Sequence, residues 1–221
     1  MSLSFCIKCK QLCLNSVSSI DDYGNFYGSD IEKRLSNFEN VPSPYTDGLM
    51  DKFFNTTLWP LIETNRGCPF SCTFCTDGQD TVRKINNFSL ERIAGELEYI
   101  GTKVAKNIHG LIISDLNFGM YKQDVVTANV IRDIQEKYDY PRTVIVATGK
   151  NMPQRIIDVA SIIKGWQLGA SIQSTDRDVL SASNRQNITS SAYKKLIDFG
   201  CGSGDFLRLV RSHCAEVCGV E

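Results

Sequence analysis

The chain has 221 residues, a hydrophobic fraction of 42%, a charged fraction of 22% and a formal net charge of −1. That length suffices for one sizeable domain, or one domain and a fragment, and the near-neutral balance excludes a global basic field for nucleic acid. No apolar run reaches the roughly 18 residues of a membrane helix and no signal peptide opens the chain, so the nine cysteines point to a reducing cytoplasm and metal chemistry rather than a disulfide framework.

Residues 1–20 form a leader that carries Cys6, Cys9 and Cys13 in C-x2-C-x3-C spacing. It reads either as half a zinc knuckle without a local fourth ligand or as a leader whose thiols have no role. Asp21-Asp22-Tyr23-Gly24-Asn25 and Gly28-Ser29-Asp30 read as turns. Residues 21–57 are a lead-in, which Pro42 and Pro44 are expected to hold extended as far as Tyr45. Leu58-Trp59-Pro60-Leu61-Ile62 is an apolar strand candidate, and directly after it comes Thr64-Asn65-Arg66-Gly67-Cys68-Pro69-Phe70-Ser71-Cys72-Thr73-Phe74-Cys75. Three thiolates in C-x3-C-x2-C spacing on one loop can each ligate one iron of a four-iron cluster, leaving the fourth iron open for a small molecule. Zinc would want a fourth Cys or His, and none follows within easy loop reach. The plainer reading is three buried cysteines close by accident, against which stands the Gly-Cys-Pro that opens the run.

From Trp59 onward strands and helices alternate. Leu90, Ile93, Leu97, Ile100 and Val104 fall on one face and predict a helix from about Leu90 to Lys106. Ile108 to Ser114 is the second strand. Val126, Val130, Ile131, Ile134 and Tyr138 mark a helix that Pro141 should end. Thr143 to Ala147 is the third strand. Asn151 and Pro153 open a helix with Ile156, Val159 and Ile163 inward and Gly165 as its stop, and Gln167 to Gln173 is the fourth strand. This order implies parallel β-α units, closed as a barrel or lying as an open sheet, with ligands at the carboxyl ends of the strands. Polar groups gather at those ends: Cys68 to Cys75, Asp115 and Asn117, Thr148, Lys150 and Asn151, and Gln173, Ser174 and Asp176. Each is explicable alone as a cap or turn, and four in succession argue for one shared site. His109 and His213, without partners at metal-ligand spacing, read as surface or packing residues.

The tail changes character. Leu196-Ile197-Asp198-Phe199-Gly200-Cys201-Gly202-Ser203-Gly204 joins an apolar strand to a glycine-rich turn. Phe206, Leu207 and Val210 suit a helix, and Glu216 to Glu221 a second strand ending in an acid. Glycines let backbone approach a cofactor, and an acid about 20 residues on can accept hydrogen bonds from ribose hydroxyls.

The cysteine loop, with aromatic Phe74 before its last cysteine, resembles that of the radical S-adenosylmethionine (SAM) enzymes. Pro42 to Tyr45, Gly48 to Phe54 and Pro60 to Gly67 look like the lead-in of the subgroup that carries an upstream cobalamin-binding domain. Ser114 to Met120 and Gly169 to Asp176 resemble later core segments of that subgroup, so the resemblance spans residues 21–199. It implies an α/β fold, a (β/α) TIM-type partial barrel. The core over residues 58–195 is incomplete, because about two more β-α units should follow Asp176. Asp198 to Gly204 resembles the first motif of class I SAM-dependent methyltransferases, with Glu221 matching their ribose-binding acid. Residues 196–221 then form a C-terminal Rossmann-like β-α-β fragment, with a junction between 191 and 199.

The radical SAM resemblance implies that Cys68, Cys72 and Cys75 hold a [4Fe–4S] cluster. One electron then cleaves SAM to methionine and a 5′-deoxyadenosyl radical, in chemistry of the kind used for radical methyl transfer. It places Phe74 near the adenine, Asp115 and Asn117 toward the methionine moiety, Gln173 and Ser174 toward the ribose, and Lys150 toward the SAM carboxylate. It assigns no catalytic acid, base or nucleophile and names no substrate. An electron donor such as a flavodoxin or ferredoxin is implied. Cobalamin is expected not to bind this chain tightly, since only about 40 residues precede Pro42, too few for a domain of its own. Two other readings stand beside this one: a class I methyltransferase fragment, and a non-catalytic iron–sulfur or zinc module that uses Cys6, Cys9 and Cys13 as well. About 25 residues cannot build the sheet that the first of these needs.

Overall fold

The computed structural model describes residues 18–20, 23–24, 26–28, 38, 40–54, 58–169 and 173–185. The leader cysteines Cys6, Cys9 and Cys13, the strand expected through 170–172 and the glycine-rich tail at 196–221 lie outside them. Strand β1 (Ser18–Ile20) pairs antiparallel with β2 (Phe26–Gly28), with the turn expected at 21–25 between them. Next in order come β3 (Leu61–Ile62), β4 (Asn65–Arg66), β5 (Asn86–Asn87), α1 (Leu90–Lys103), β6 (Gly110–Phe118) and α2 (Lys122–Tyr138). They are followed by β7 (Thr143–Thr148), α3 (Pro153–Ile162), β8 (Trp166–Gly169) and α4 (Arg177–Ala182). Strands β3, β6, β7 and β8 form one parallel sheet in that order, while β4 and β5 make a separate antiparallel pair.

Each strand–helix boundary has a local cause. Ser89 Oγ accepts the Arg92 N–H at 3.2 Å and starts α1. The helix stops at Lys103, three residues short of the expected end, where the Ala105 N–H turns to the Phe54 carbonyl at 3.2 Å. Helix α2 ends before Pro141 can act, because Asp139 already adopts the left-handed conformation at φ 53°. Pro153 opens α3 as expected. At Gly165, with φ 70°, a Cβ would lie 1.9 Å from the Arg142 carbonyl, so only glycine makes the turn into β8.

The core lies between the sheet and α1, α2 and α3. Ile93, Leu97 and Ile100, Ala128 and Ile131, and Val159 meet Leu111, Ile113, Phe118, Val144 and Val146, all buried. On the other side of β7, Ile145 and Ala147 are exposed, so the sheet presents one packed and one open face. The segment expected to run extended is instead folded: residues 43–51 form successive turns, followed by a 3-10 helix at Asp51–Phe53. It buries Phe38, Tyr45 and Phe54 in the core. The Tyr45 hydroxyl donates to the Leu61 carbonyl at 2.7 Å and accepts the Leu61 N–H at 2.9 Å, so it satisfies the outer edge of β3. Arg92 donates to the carbonyls of Phe38, Val41 and Pro42 and ties this segment to α1.

One irregularity positions the site. Ile113 of β6 pairs with Val146 of β7, yet the next pair is Phe118 with Thr148. Strand β6 thus advances five residues while β7 advances two. The surplus stretch, Ser114 to Asn117, leaves the ladder and turns toward the cysteine loop, as bulges re-aim side chains elsewhere.

Candidate metal centre

The cysteine loop is held from three directions. Gly67 has φ 125°, and a Cβ there would lie 2.5 Å from the Lys84 carbonyl. The next N–H, that of Cys68, donates to the Val82 carbonyl at 3.2 Å. The loop therefore lies directly against residues 82–84. It coils on itself through Cys75 N–H to Cys72 O at 3.1 Å and Gly78 N–H to Cys75 O at 3.0 Å. A Cβ on Gly78 would meet Cys72 O at 2.3 Å. Across the site, the Thr73 N–H donates to the Ser183 carbonyl, just past α4, at 3.0 Å.

All three thiols are free. Cys68 and Cys72 are buried with Phe70 and Met120 in a small apolar cluster, against which Cys75, Leu116 and Tyr121 pack. Among the described residues no three His, Cys, Asp or Glu side chains gather as ligands of a single metal ion. A four-iron cluster makes no such demand, since each thiolate takes a different iron. The polar groups at the sulfurs suit thiolates. Asn117 Nδ2 donates to Cys68 Sγ at 3.4 Å, and its Oδ1 accepts from Lys150 Nζ at 2.8 Å. Lys150 Nζ is itself 4.0 Å from Cys68 Sγ and 5.2 Å from the centre of the Phe70 ring. Arg185 Nη1 lies 4.0 Å from Cys72 Sγ. By the chemistry of these donors, the three cysteines fit an iron–sulfur cluster.

Asp115 does a task the sequence did not announce. Its carboxylate accepts the Thr64 N–H at 2.7 Å, the Thr64 hydroxyl, the Asn65 N–H at 3.4 Å and Asn65 Nδ2 at 2.6 Å. It therefore locks the β6 bulge to the start of the cysteine loop. Burial pushes its carboxyl up to about 6, against the pull of the Thr64 and Asn65 hydrogen bonds. Asp124 sits at the first turn of α2, where it accepts the Tyr121 N–H at 2.8 Å. Burial, reinforced by Asp115 and opposed by its backbone hydrogen bonds and Arg155, pushes it to about 7. The Tyr121 hydroxyl is buried without a hydrogen-bond partner among the described residues. Burial first, and then the neighbouring Cys68, Asp124 and Asp115, raise its pKa.

The structure thus brings Cys68, Asn117 and Lys150 into contact, with Asp115 behind them. It leaves Phe74 56% exposed beside the loop. Gln173 is exposed, and the Ser174 hydroxyl accepts the Asp176 N–H at 3.0 Å. Sequence reasoning missed Arg185, Thr64 and Asn65. Arg185 follows a short helix with no periodic signal, and Thr64 and Asn65 looked like mere approach to the cysteines.

No model of a known protein family matches the chain. Among curated proteins it is 36% identical over 176 residues to the cobalamin-dependent radical SAM methyltransferase TokK of Streptomyces tokunonensis, covering 74% of this chain and 25% of that protein. It is 34% identical, with the same coverage, to the 2-(S-pantetheinyl)-carbapenam-3-carboxylate methyltransferase of Streptantibioticus cattleyicolor. The chain spans about a quarter of the length of these relatives. Among solved structures it resembles the cobalamin-dependent radical SAM enzyme OxsB with aqua-cobalamin and SAM bound, at a TM-score of 0.53 and 19% identity. That match covers 83% of this chain and 27% of OxsB and speaks to the fold alone.

Proposed function

Because the chain belongs to the radical SAM enzymes, in the group related to cobalamin-dependent methyltransferases, we propose that Cys68, Cys72 and Cys75 hold a [4Fe–4S] cluster at which SAM binds. The observation that carries this reading is the packing of three free thiols in one cluster, with amide and cationic donors at two of them. When bound, the cluster and SAM supply reductive cleavage of a sulfur–carbon bond. The chain's own residues hold, orient and shield. Asp115 fixes the loop to the sheet through Thr64 and Asn65. Asn117 and Lys150 stand at Cys68, with Lys150 offered for the SAM carboxylate and Asn117, with Asp115 behind it, for the methionine end. Phe74 is free to cover the adenine, and Gln173 and Ser174 line the route toward the ribose. The four parallel strands then form part of a TIM-type barrel whose open face receives the ligand. Radical methyl transfer is the reaction class that the relatives favour, with the electron supplied by a separate low-potential donor protein.

Cobalamin is given no place at the cysteines in this reading. Titration of the isolated chain with aqua-cobalamin is expected to show no stoichiometric binding. The main test is anaerobic reconstitution with iron and sulfide. The reading expects four irons per chain, loss of most charge-transfer absorbance on Cys68→Ala, Cys72→Ala or Cys75→Ala, and release of 5′-deoxyadenosine from SAM under dithionite. Bleaching by Cys6→Ala but not by Cys72→Ala would overturn the assignment.

A further inference from the structure

The turn after β6 delivers Tyr121 to the cysteines. Gly119 takes φ 86°, where a Cβ would stand 3.2 Å from both Ile156 and Trp166. The Met120 N–H closes on the Asn117 carbonyl at 3.3 Å, and the Met120 carbonyl accepts from Arg155 Nη1. Asp124 then takes both polar groups of the Tyr121 backbone. Its carboxylate accepts the Tyr121 N–H at 2.8 Å, and its N–H donates to the Tyr121 carbonyl at 3.2 Å. With its backbone held, Tyr121 packs on the apolar cluster of Cys68, Phe70, Cys72 and Met120. Its hydroxyl is buried, yet no hydrogen-bond partner meets it among the described residues.

We propose that Tyr121 is a further residue of the cluster site, whose hydroxyl donates a hydrogen bond to a sulfur of the bound cluster on the Cys68 side. The inference rests on the cluster reading above. A hydroxyl buried without a partner costs free energy that only an incoming acceptor restores. A neutral thiol is a weak acceptor, whereas the thiolates and sulfides of a cluster carry charge and accept strongly. Burial, and next the charge of Cys68, hold the proton on this oxygen beyond the usual phenol range, so the group stays a donor. Of the charged groups that act on the hydroxyl, Cys68 is the strongest, ahead of Asp124 and Asp115, which sets it on the Cys68 side of the loop. Asn117 Nδ2 already donates to Cys68 Sγ at 3.4 Å, so Tyr121 adds a second neutral donor at that corner. Reduction adds one negative charge to the cluster and strengthens every hydrogen bond to its sulfurs, and such bonds therefore favour the reduced form. The step is a one-electron transfer from an external low-potential reductant; no bond forms or breaks and no proton moves.

The test compares the full chain with Tyr121→Phe, which keeps the ring and removes only the hydroxyl. Both are reconstituted with iron and sulfide, without oxygen and without SAM, and titrated with dithionite under electron paramagnetic resonance. At the midpoint of the unaltered protein, Tyr121→Phe is expected to show at least a threefold lower ratio of reduced to oxidised cluster, which for a one-electron couple is a shift of about 28 mV or more. The cluster-free proteins should respond differently. Loss of an unpaired buried hydroxyl should leave the thermal midpoint of Tyr121→Phe equal to or above that of the unaltered chain. An unchanged reduction midpoint would overturn the proposal, and a fall in SAM affinity beside it would assign the hydroxyl to SAM instead. A lower thermal midpoint in cluster-free Tyr121→Phe would also overturn it, since the hydroxyl would then have a partner without the cluster. If Tyr121→Phe loads too little iron to titrate, the cluster-free comparison decides: an equal or higher thermal midpoint supports the proposal and a lower one overturns it. An unaltered protein that holds no cluster would overturn the cluster reading itself, and the proposal with it, before the variant is compared.

Discussion

Asp115 and Asp124 show how much the site depends on carboxylates that never meet solvent. Asp115 faces two backbone and two side-chain donors from Thr64 and Asn65. Asp115→Ala strands these donors in a buried space at about 1–3 kcal/mol for each group left unpaired. With two of the four donors left unpaired after the pocket relaxes, we expect a loss of roughly 2–6 kcal/mol in urea unfolding at unchanged m, together with weakened iron loading. Asp124 gives a pH signature. Because burial raises its carboxyl to about 7, the folded state binds that proton more tightly than the unfolded chain does. Its stabilising contribution is therefore complete below about pH 4 and is lost as the pH rises through about 7. Asp124→Asn, which keeps an acceptor for the Tyr121 N–H, should flatten the fall in thermal midpoint between pH 5 and 8. Asp115, raised to about 6, contributes in the same direction over a lower window and should account for the slope that remains.

Among the elements, the cysteine loop works by tightness. A methyl group on Gly78 would press on the Cys72 carbonyl at 2.3 Å, and that atom belongs to backbone, which cannot swing aside. Gly78→Ala is expected to cut iron incorporation several-fold while far-ultraviolet circular dichroism stays native, because the sheet and α1 to α3 do not depend on this turn. The loop's chemistry was legible because cysteine spacing is a direct statement about ligands. The helices were legible because Ile93, Leu97 and Ile100 repeat at helical steps. The bulge between Ile113 and Phe118 was not, since Ser114 to Asn117 look like an ordinary polar strand end. Nor was the β4–β5 pair, two residues on each strand and too short for any alternation to show. The lead-in was misread as extended because Pro42 and Pro44 were weighed by local preference, whereas the burial of Phe38, Tyr45 and Phe54 decides its path.

Over the whole molecule, one parallel sheet carries both the core and the site, and no described helix is long and apolar enough to cross a membrane. Removing Phe118, fully buried against Trp166 with ring centres 5.6 Å apart, should therefore affect both. Phe118→Ala is expected to cost about 3–5 kcal/mol, measured by urea unfolding, and to lower iron loading at 25 °C in proportion to the folded fraction. Deletion of residues 200–221, which lie outside the described residues, is expected to leave iron content and SAM cleavage unchanged. Loss of a second, cluster-independent SAM site on deletion would show that the tail binds after all.

The order of strands in the sheet repeats their order along the chain, β3, β6, β7, β8. Each strand can dock on one that has already left the ribosome, so assembly can keep pace with synthesis and wait for nothing distant. Tyr45, made before any of the four, occupies the outer edge of β3 through both polar groups of Leu61. Growth is thereby given a direction, since pairing can proceed only toward β8. A nascent chain halted after Thr148 should already protect the amides of Leu111 and Ile113 from exchange.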